Sequence, residues 1–184
     1  MAAGQDGPLH VVACGLWGSG MSHSGPIVIG FDGSEAAEHA VRAAGELLRG
    51  RPALVVSVYK AGIGFELVEL PTASIGLPPA PIDVRTAVEV EQELAERAQR
   101  LAGHGAELAR KAGFEAEGMA VADEVDVPVA ETLVNVARER DAAAMVVGAH
   151  GHGRLSETLL GSTWRDVIRR APCPVVVSRV ADSD

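Results

Sequence analysis

The residues with the most chemistry to offer lie between positions 148 and 170. Gly148-Ala149-His150-Gly151 is followed, after nine intervening residues, by Gly161-Ser162-Thr163. Glycines let backbone N–H groups turn toward an anion with no Cβ in the way, and a helix opening near Thr163 would present its positive end to the same place. Arg154, Arg165, Arg169 and Arg170 against Glu157 and Asp166 give this stretch a charge of about +2 in a chain whose formal charge is −9. Phosphate binding is the chemistry this pattern suits. The same residues also read as a loop whose glycines serve turns and whose Ser162 or Thr163 caps a helix, Thr163 and Asp166 having the spacing of a capping box. The pattern alone leaves both readings open.

Other candidate groups offer less. His150 and His152 stand two apart but have no third ligand at a suitable spacing, so no metal site built from side chains is expected. Cys14 and Cys173 make neither a disulfide framework nor a four-ligand zinc site, which suits a reducing, cytoplasmic location. Cys173, between Pro172 and Pro174, reads as a buried and inert thiol. Neither Lys60 nor Lys111 sits in a Walker-type phosphate loop. Glu89, Glu91, Glu93 and Glu96 read as a solvated helix face.

The elements that must position these groups follow from composition and periodicity. A chain of 184 residues with 47% hydrophobic content suits one core, and with only 3% aromatics that core is aliphatic. The scarcity of aromatics removes stacking platforms for single-stranded nucleic acid, and the charge of −9 opposes phosphate backbones, so no nucleic-acid partner is expected. No apolar run approaches the eighteen or so residues of a membrane span, and no membrane association is expected. Residues 1–25 hold six glycines and no periodicity. They are expected to form a flexible tail outside a domain spanning 26–182.

Ile27 to Phe31 is a short apolar run bounded by Pro26 and Asp32-Gly33, as a buried parallel strand reads. Ser34 can cap a helix whose apolar positions run from Ala37 to Leu48. Leu54–Tyr59 is a second strand. A long loop is expected from Ala61 to Ile82, then a helix over 83–112, a weaker strand over 116–122, a helix over 128–140, a strand over 142–147, a short helix over 163–170 and a last strand over 175–179. Strands alternate with helices, so a single doubly wound parallel sheet is expected, with its ligand crevice beyond the strands' carboxyl ends where the strand order reverses. With the first and fourth strands flanking that crevice, Asp32 and Gly148 face it from two sides. Asp32 also reads as a helix N-terminal carboxylate beside Ser34. The last strand is expected to be an exposed edge, managed by pairing with a second copy in a homodimer.

Ile-Val-Ile-Gly-Phe-Asp-Gly-Ser-Glu at 27–35, the Gly-x-x-Gly-(nine residues)-Gly-Ser pattern at 148–162 and Ala-Pro-Cys-Pro-Val-Val-Val at 171–177 together resemble the universal stress protein family, over roughly residues 26–180. The resemblance implies a five-stranded sheet of order 3-2-1-4-5, of the adenine nucleotide alpha hydrolase-like type, usually dimeric, in the subgroup that retains ATP. It further implies that Asp32 bonds the adenine, that the backbone of Val58 borders the base and that Val147 and Gly148 flank the ribose. Gly151, Gly161, Ser162 and Thr163 would hold the phosphates, with Mg²⁺ held through those phosphates. The chain departs from the family pattern at His152, where an Arg is common, and at Trp164, where a second hydroxyl is common; Arg154 and Thr163 are available substitutes. The function expected is a nucleotide-dependent binding module acting on a protein partner in stress responses. A slow ATP hydrolase or phosphotransfer protein and a nucleotide-free dimeric scaffold are the alternatives, the enzyme reading lacking an evident general base.

Overall fold

In the computed structural model the described residues are 9–12, 25–63, 84–123, 127–149 and 163–179. They form β1 (Leu9–Val12), β2 (Ile27–Gly30), α1 (Glu35–Leu48), β3 (Pro52–Lys60), α2 (Val84–Lys111), β4 (Glu115–Asp123), α3 (Val129–Glu139), β5 (Ala144–Ala149), α4 (Thr163–Arg170) and β6 (Val175–Arg179). One six-stranded sheet runs in the order β1-β6-β5-β2-β3-β4. The pairings among β2 to β6 are all parallel, and taken by themselves these five strands have the expected 3-2-1-4-5 order.

Alternation along the strands sends successive side chains to opposite faces and builds two apolar layers. Ile27, Ile29, Val55, Val146 and Val176 pack with Ala37, Ala40 and Val41 of α1 and Ala106 and Ala109 of α2. On the other face Val28, Val56, Met145, Val147, Val175 and Val177 pack with Leu133, Val134 and Ala137 of α3 and Val167 of α4. The aliphatic core expected from composition is present, and on the first face α1 and α2 meet the sheet largely through alanines.

The turn from β2 into α1 is made locally. Gly33 has φ +76°, a conformation that other residues seldom adopt, and Ser34 then accepts a hydrogen bond from the Ala37 N–H at 3.2 Å as the N-cap. These two residues end the strand and start the helix within four positions, which places Asp32 at the sheet's carboxyl end.

Two expectations are corrected. The N-terminal segment contributes β1, which pairs antiparallel with β6 from Leu9 opposite Ser178 to Val12 opposite Val175, so residues 1–25 are not wholly outside the fold. Consequently Val175–Arg179 is not the sheet edge. A four-residue strand is too short to show a period of two, and its pairing is chosen by the edge it meets. The second correction concerns Gly148, expected to open a loop. It lies within β5, opposite Ser178 of β6, because the parallel ladder continues through Ala149. Most of the expected loop from Ala61 to Ile82, and residues 150–162, lie outside the described residues.

Candidate functional site

Along the sheet, β2 has β3 on one side and β5 on the other, so consecutive connections diverge from it and leave a crevice at its carboxyl end. A cavity of about 120 Å³ occupies that crevice. From β2 and the turn after it come Gly30, Phe31, Asp32 and Ser34; Val147 and Gly148 come from β5, Val56 and Val58 from β3, Val129 and Leu133 from α3, and Thr163 and Trp164 from the start of α4. The volume approaches the ~150 Å³ of a cavity that takes benzene, so the recess has room for an aromatic-sized group.

The walls are apolar and the polar groups stand at the rim. The Phe31 N–H donates to the Val56 carbonyl at 2.9 Å, which carries the β2–β3 pairing one residue past the strand and fixes the start of the turn. Asp32 is exposed, and its Oδ1 accepts the Ser34 N–H at 3.0 Å. One carboxylate oxygen therefore holds the turn, as the helix-terminus reading requires, while the residue also lines the pocket. Trp164 is half-buried against the pocket, with the Arg165 guanidinium 5.1 Å from its ring centroid, in cation–π range. The position that departs from the expected hydroxyl thus supplies an aromatic wall with a cation over its ring.

Gly148 has a packing reason as well. A Cβ there would come within 2.6 Å of the Ala36 carbonyl carbon and oxygen, so the first turn of α1 can lie on β5 only because position 148 has no side chain.

Of the residues expected at the site, Asp32, Val58, Val147, Gly148 and Thr163 line this one pocket. Gly151, Gly161 and Ser162 lie outside the described residues, as do His150, His152 and Arg154. Val56, Val129 and Leu133 were not expected. Their signals are spacing alone: Val56 stands two residues before Val58 on the same strand face, and Val129 and Leu133 are one helical turn apart. Beside the pocket, Lys60 at the end of β3 pairs with Asp123 at the end of β4 at 3.1 Å, and its ammonium also donates to the Val127 carbonyl. This clamp holds the chain that leads into α3 two residues before Val129.

Cys173 is 3% exposed within the apolar layer of α3 and α4. Burial, with the Asp141 carboxylate adding to it, pushes its thiol up to about 11 from 9.0. Among the described residues no group of three His, Cys, Asp or Glu could hold a metal ion, and no helix is long and apolar enough to cross a membrane.

A doubly wound sheet with a pocket at its switch point is the arrangement in which α/β domains bind their ligands. The sequence matches the universal stress protein family over residues 24–179, and the chain belongs to that family. It is 33% identical over 167 residues to universal stress protein Rv2623 of Mycobacterium tuberculosis, covering 90% of this chain and 50% of that protein. To universal stress protein YxiE of Bacillus subtilis it is 26% identical over 156 residues, covering 83% of this chain and 97% of the other. The structure of a universal stress protein from Archaeoglobus fulgidus superposes with a TM-score of 0.52 at 27% identity, covering 83% of this chain and 97% of that one. The chain spans about half the length of the mycobacterial relatives it matches.

Proposed function

We propose that this chain is an adenine-nucleotide-binding universal stress protein, a regulatory module of the cytoplasm whose nucleotide occupancy alters the surface it offers to a protein partner. The observation that carries this reading is the recess between β2 and β5, apolar inside and sized for one heterocycle, with Asp32 at its rim. The base enters between Val58 and Val147, and Asp32 accepts its exocyclic amine through the oxygen that does not hold the Ser34 N–H. The ribose lies along Val147 and Gly148. The phosphates of ATP leave the recess toward Thr163 and the start of α4; the family pattern assigns Gly151, Gly161 and Ser162 to them as well, with Mg²⁺ held through the phosphates.

Binding rather than turnover is favoured by the pocket's inventory. Among the described residues that line it, Asp32 is the one acid or base, and it stands at the base end. Phosphoryl transfer needs positioned water, metal and charge stabilisation at the other end.

Calorimetry with ATP, AMP and GMP, on the wild-type chain and on Val58→Trp, tests the reading. An indole at position 58 fills the recess while leaving the ladder of β3 intact, so adenine nucleotides should bind the wild type and lose at least tenfold in affinity to the variant. Equal affinity for both chains, or equal affinity of the wild type for AMP and GMP, would remove the recess as the base site.

A further inference from the structure

The positive charge of residues 148–170 comes from arginines, and the three on α4 differ in what holds them. Arg169 pairs with Asp166 at 3.4 Å and Arg170 with Glu131 of α3 at 3.0 Å. Both stand in the last turn, where the helix dipole favours a cation. Arg165 has neither reason to be there. It lies in the first turn, where the dipole opposes a cation, and among the described residues no carboxylate pairs with it. Its contact is the Trp164 ring, whose centroid lies 5.1 Å from the guanidinium carbon.

That contact sets a cation with no counter-charge beside the recess. Trp164 is half-buried and lines the pocket together with Thr163, Val129 and Leu133, whereas Arg165 is exposed. An aromatic ring attracts a guanidinium without neutralising it, so the charge and the forked N–H donors stay available to an anion. The ring also narrows the space that a long side chain samples, which lowers the entropy lost when the side chain is ordered by a ligand. Among the described residues that line the recess, the one charged group is Asp32, a carboxylate at the base end. A phosphate at the other end therefore draws its cation from outside the lining, and on α4 the arginine that no acid holds is Arg165.

We propose that Arg165, held on the Trp164 ring, reads the first phosphate of the bound ligand, so that the pocket takes adenine nucleotides in preference to the nucleoside. The inference rests on the reading of the recess as the base site. With the base between Val58 and Val147 and the ribose along Gly148, the first phosphate follows one sugar further on, toward Thr163 and Trp164. There the guanidinium meets it as a bidentate fork, and the positive end of α4 acts on the same anion. The repulsion between Arg165 and the helix dipole is relieved when that anion is bound. Where the family pattern has an uncharged hydroxyl, this chain thus uses a charge presented by an aromatic ring. Affinity then depends on ligand charge and on ionic strength.

Calorimetry with adenosine and AMP on the full chain tests this, at about 50 and about 300 mM NaCl. Arg165→Gln should lower AMP affinity about tenfold, leave adenosine within about twofold, and flatten the fall of AMP affinity with salt. Arg169→Gln removes the same charge from the same helix and should leave AMP within about twofold. Trp164→Leu keeps an apolar wall but takes away the ring, and in that background Arg165→Gln should cost AMP less than about threefold. Adenosine too weak to measure on the wild type is itself the preference proposed, and the salt profile of AMP then carries the comparison. Unchanged AMP affinity in Arg165→Gln, an equal loss for adenosine and AMP, an equal loss in Arg169→Gln, or the full loss without the ring would each overturn the role of Arg165 and leave the base site standing. A wild type that binds neither ligand removes the base site and this inference with it.

Discussion

The carbonyl oxygen of Ala36 occupies the space a side chain on Gly148 would need: a Cβ at position 148 would lie 2.6 Å from it. The contact is with backbone at the first turn of α1, so no rotamer change relieves it. Gly148→Ala should therefore destabilise the protein by about 2 kcal/mol or more, read from urea unfolding without any nucleotide present. Unchanged stability with lost nucleotide affinity would show that the glycine serves the ligand rather than the packing.

The Lys60–Asp123 pair is asymmetric. The Asp123 side chain is 2% exposed and that of Lys60 32%. A lysine deprived of its partner can swing its ammonium toward water, whereas the carboxylate cannot follow. Lys60→Met should accordingly cost more than Asp123→Asn, roughly 3 kcal/mol against 1–2 kcal/mol, and thermal unfolding of the two variants checks the order.

Asp32 holds the turn through one oxygen, so its replacement has two separable effects. Asp32→Ala should cost about 1 kcal/mol of stability through the lost bond to the Ser34 N–H. Its affinity for AMP should fall at least tenfold. Asp32→Asn can donate as well as accept, and should narrow the preference for AMP over GMP in the same calorimetric comparison.

Cys173 gives a pH dependence of known sign. An unfolded thiol ionises near 9.0 while the buried one keeps its proton to about 11. The folded state thus binds the proton more tightly; the associated stability is complete below pH 9 and is lost as pH rises toward 11, by about 2 kcal/mol. Subtracting the unfolding profile of Cys173→Ala from that of the wild type isolates this slope. Alkylation of the native thiol at pH 8 should be correspondingly slow.

Hydrolysis should be slow if present at all. Phosphate release from ATP with Mg²⁺ is expected far below the one per second or faster of ordinary enzymes. A rate in that ordinary range, lost in His150→Ala or His152→Ala, would establish the enzyme reading in its place.

Much of the sheet was legible because parallel strands are buried on both faces and read as short apolar runs. Val28 and Ile29 are fully covered, and the turn residues Gly33 and Ser34 mark their own positions through φ and a cap. That Asp32, Val58, Val147, Gly148 and Thr163 would line one crevice was legible through a family pattern joined to a topological rule. Val129, Leu133 and Val56 were not, since an apolar residue that walls a pocket has the same pattern as one that fills a core.

The sequence by itself determined the alternation of strands and helices, the aliphatic character of the core and the end of the sheet at which a ligand crevice opens, because those follow from local periodicity and from the handedness of βαβ crossovers. Only the tertiary structure decided what covers β6, what Gly148 touches and which carboxylate meets Lys60. These pairings join residues far apart in the chain, from Leu9 to Ser178 and from Lys60 to Asp123, and no local pattern encodes them. They are chosen when packed elements bring unsatisfied edges and charges within reach of one another.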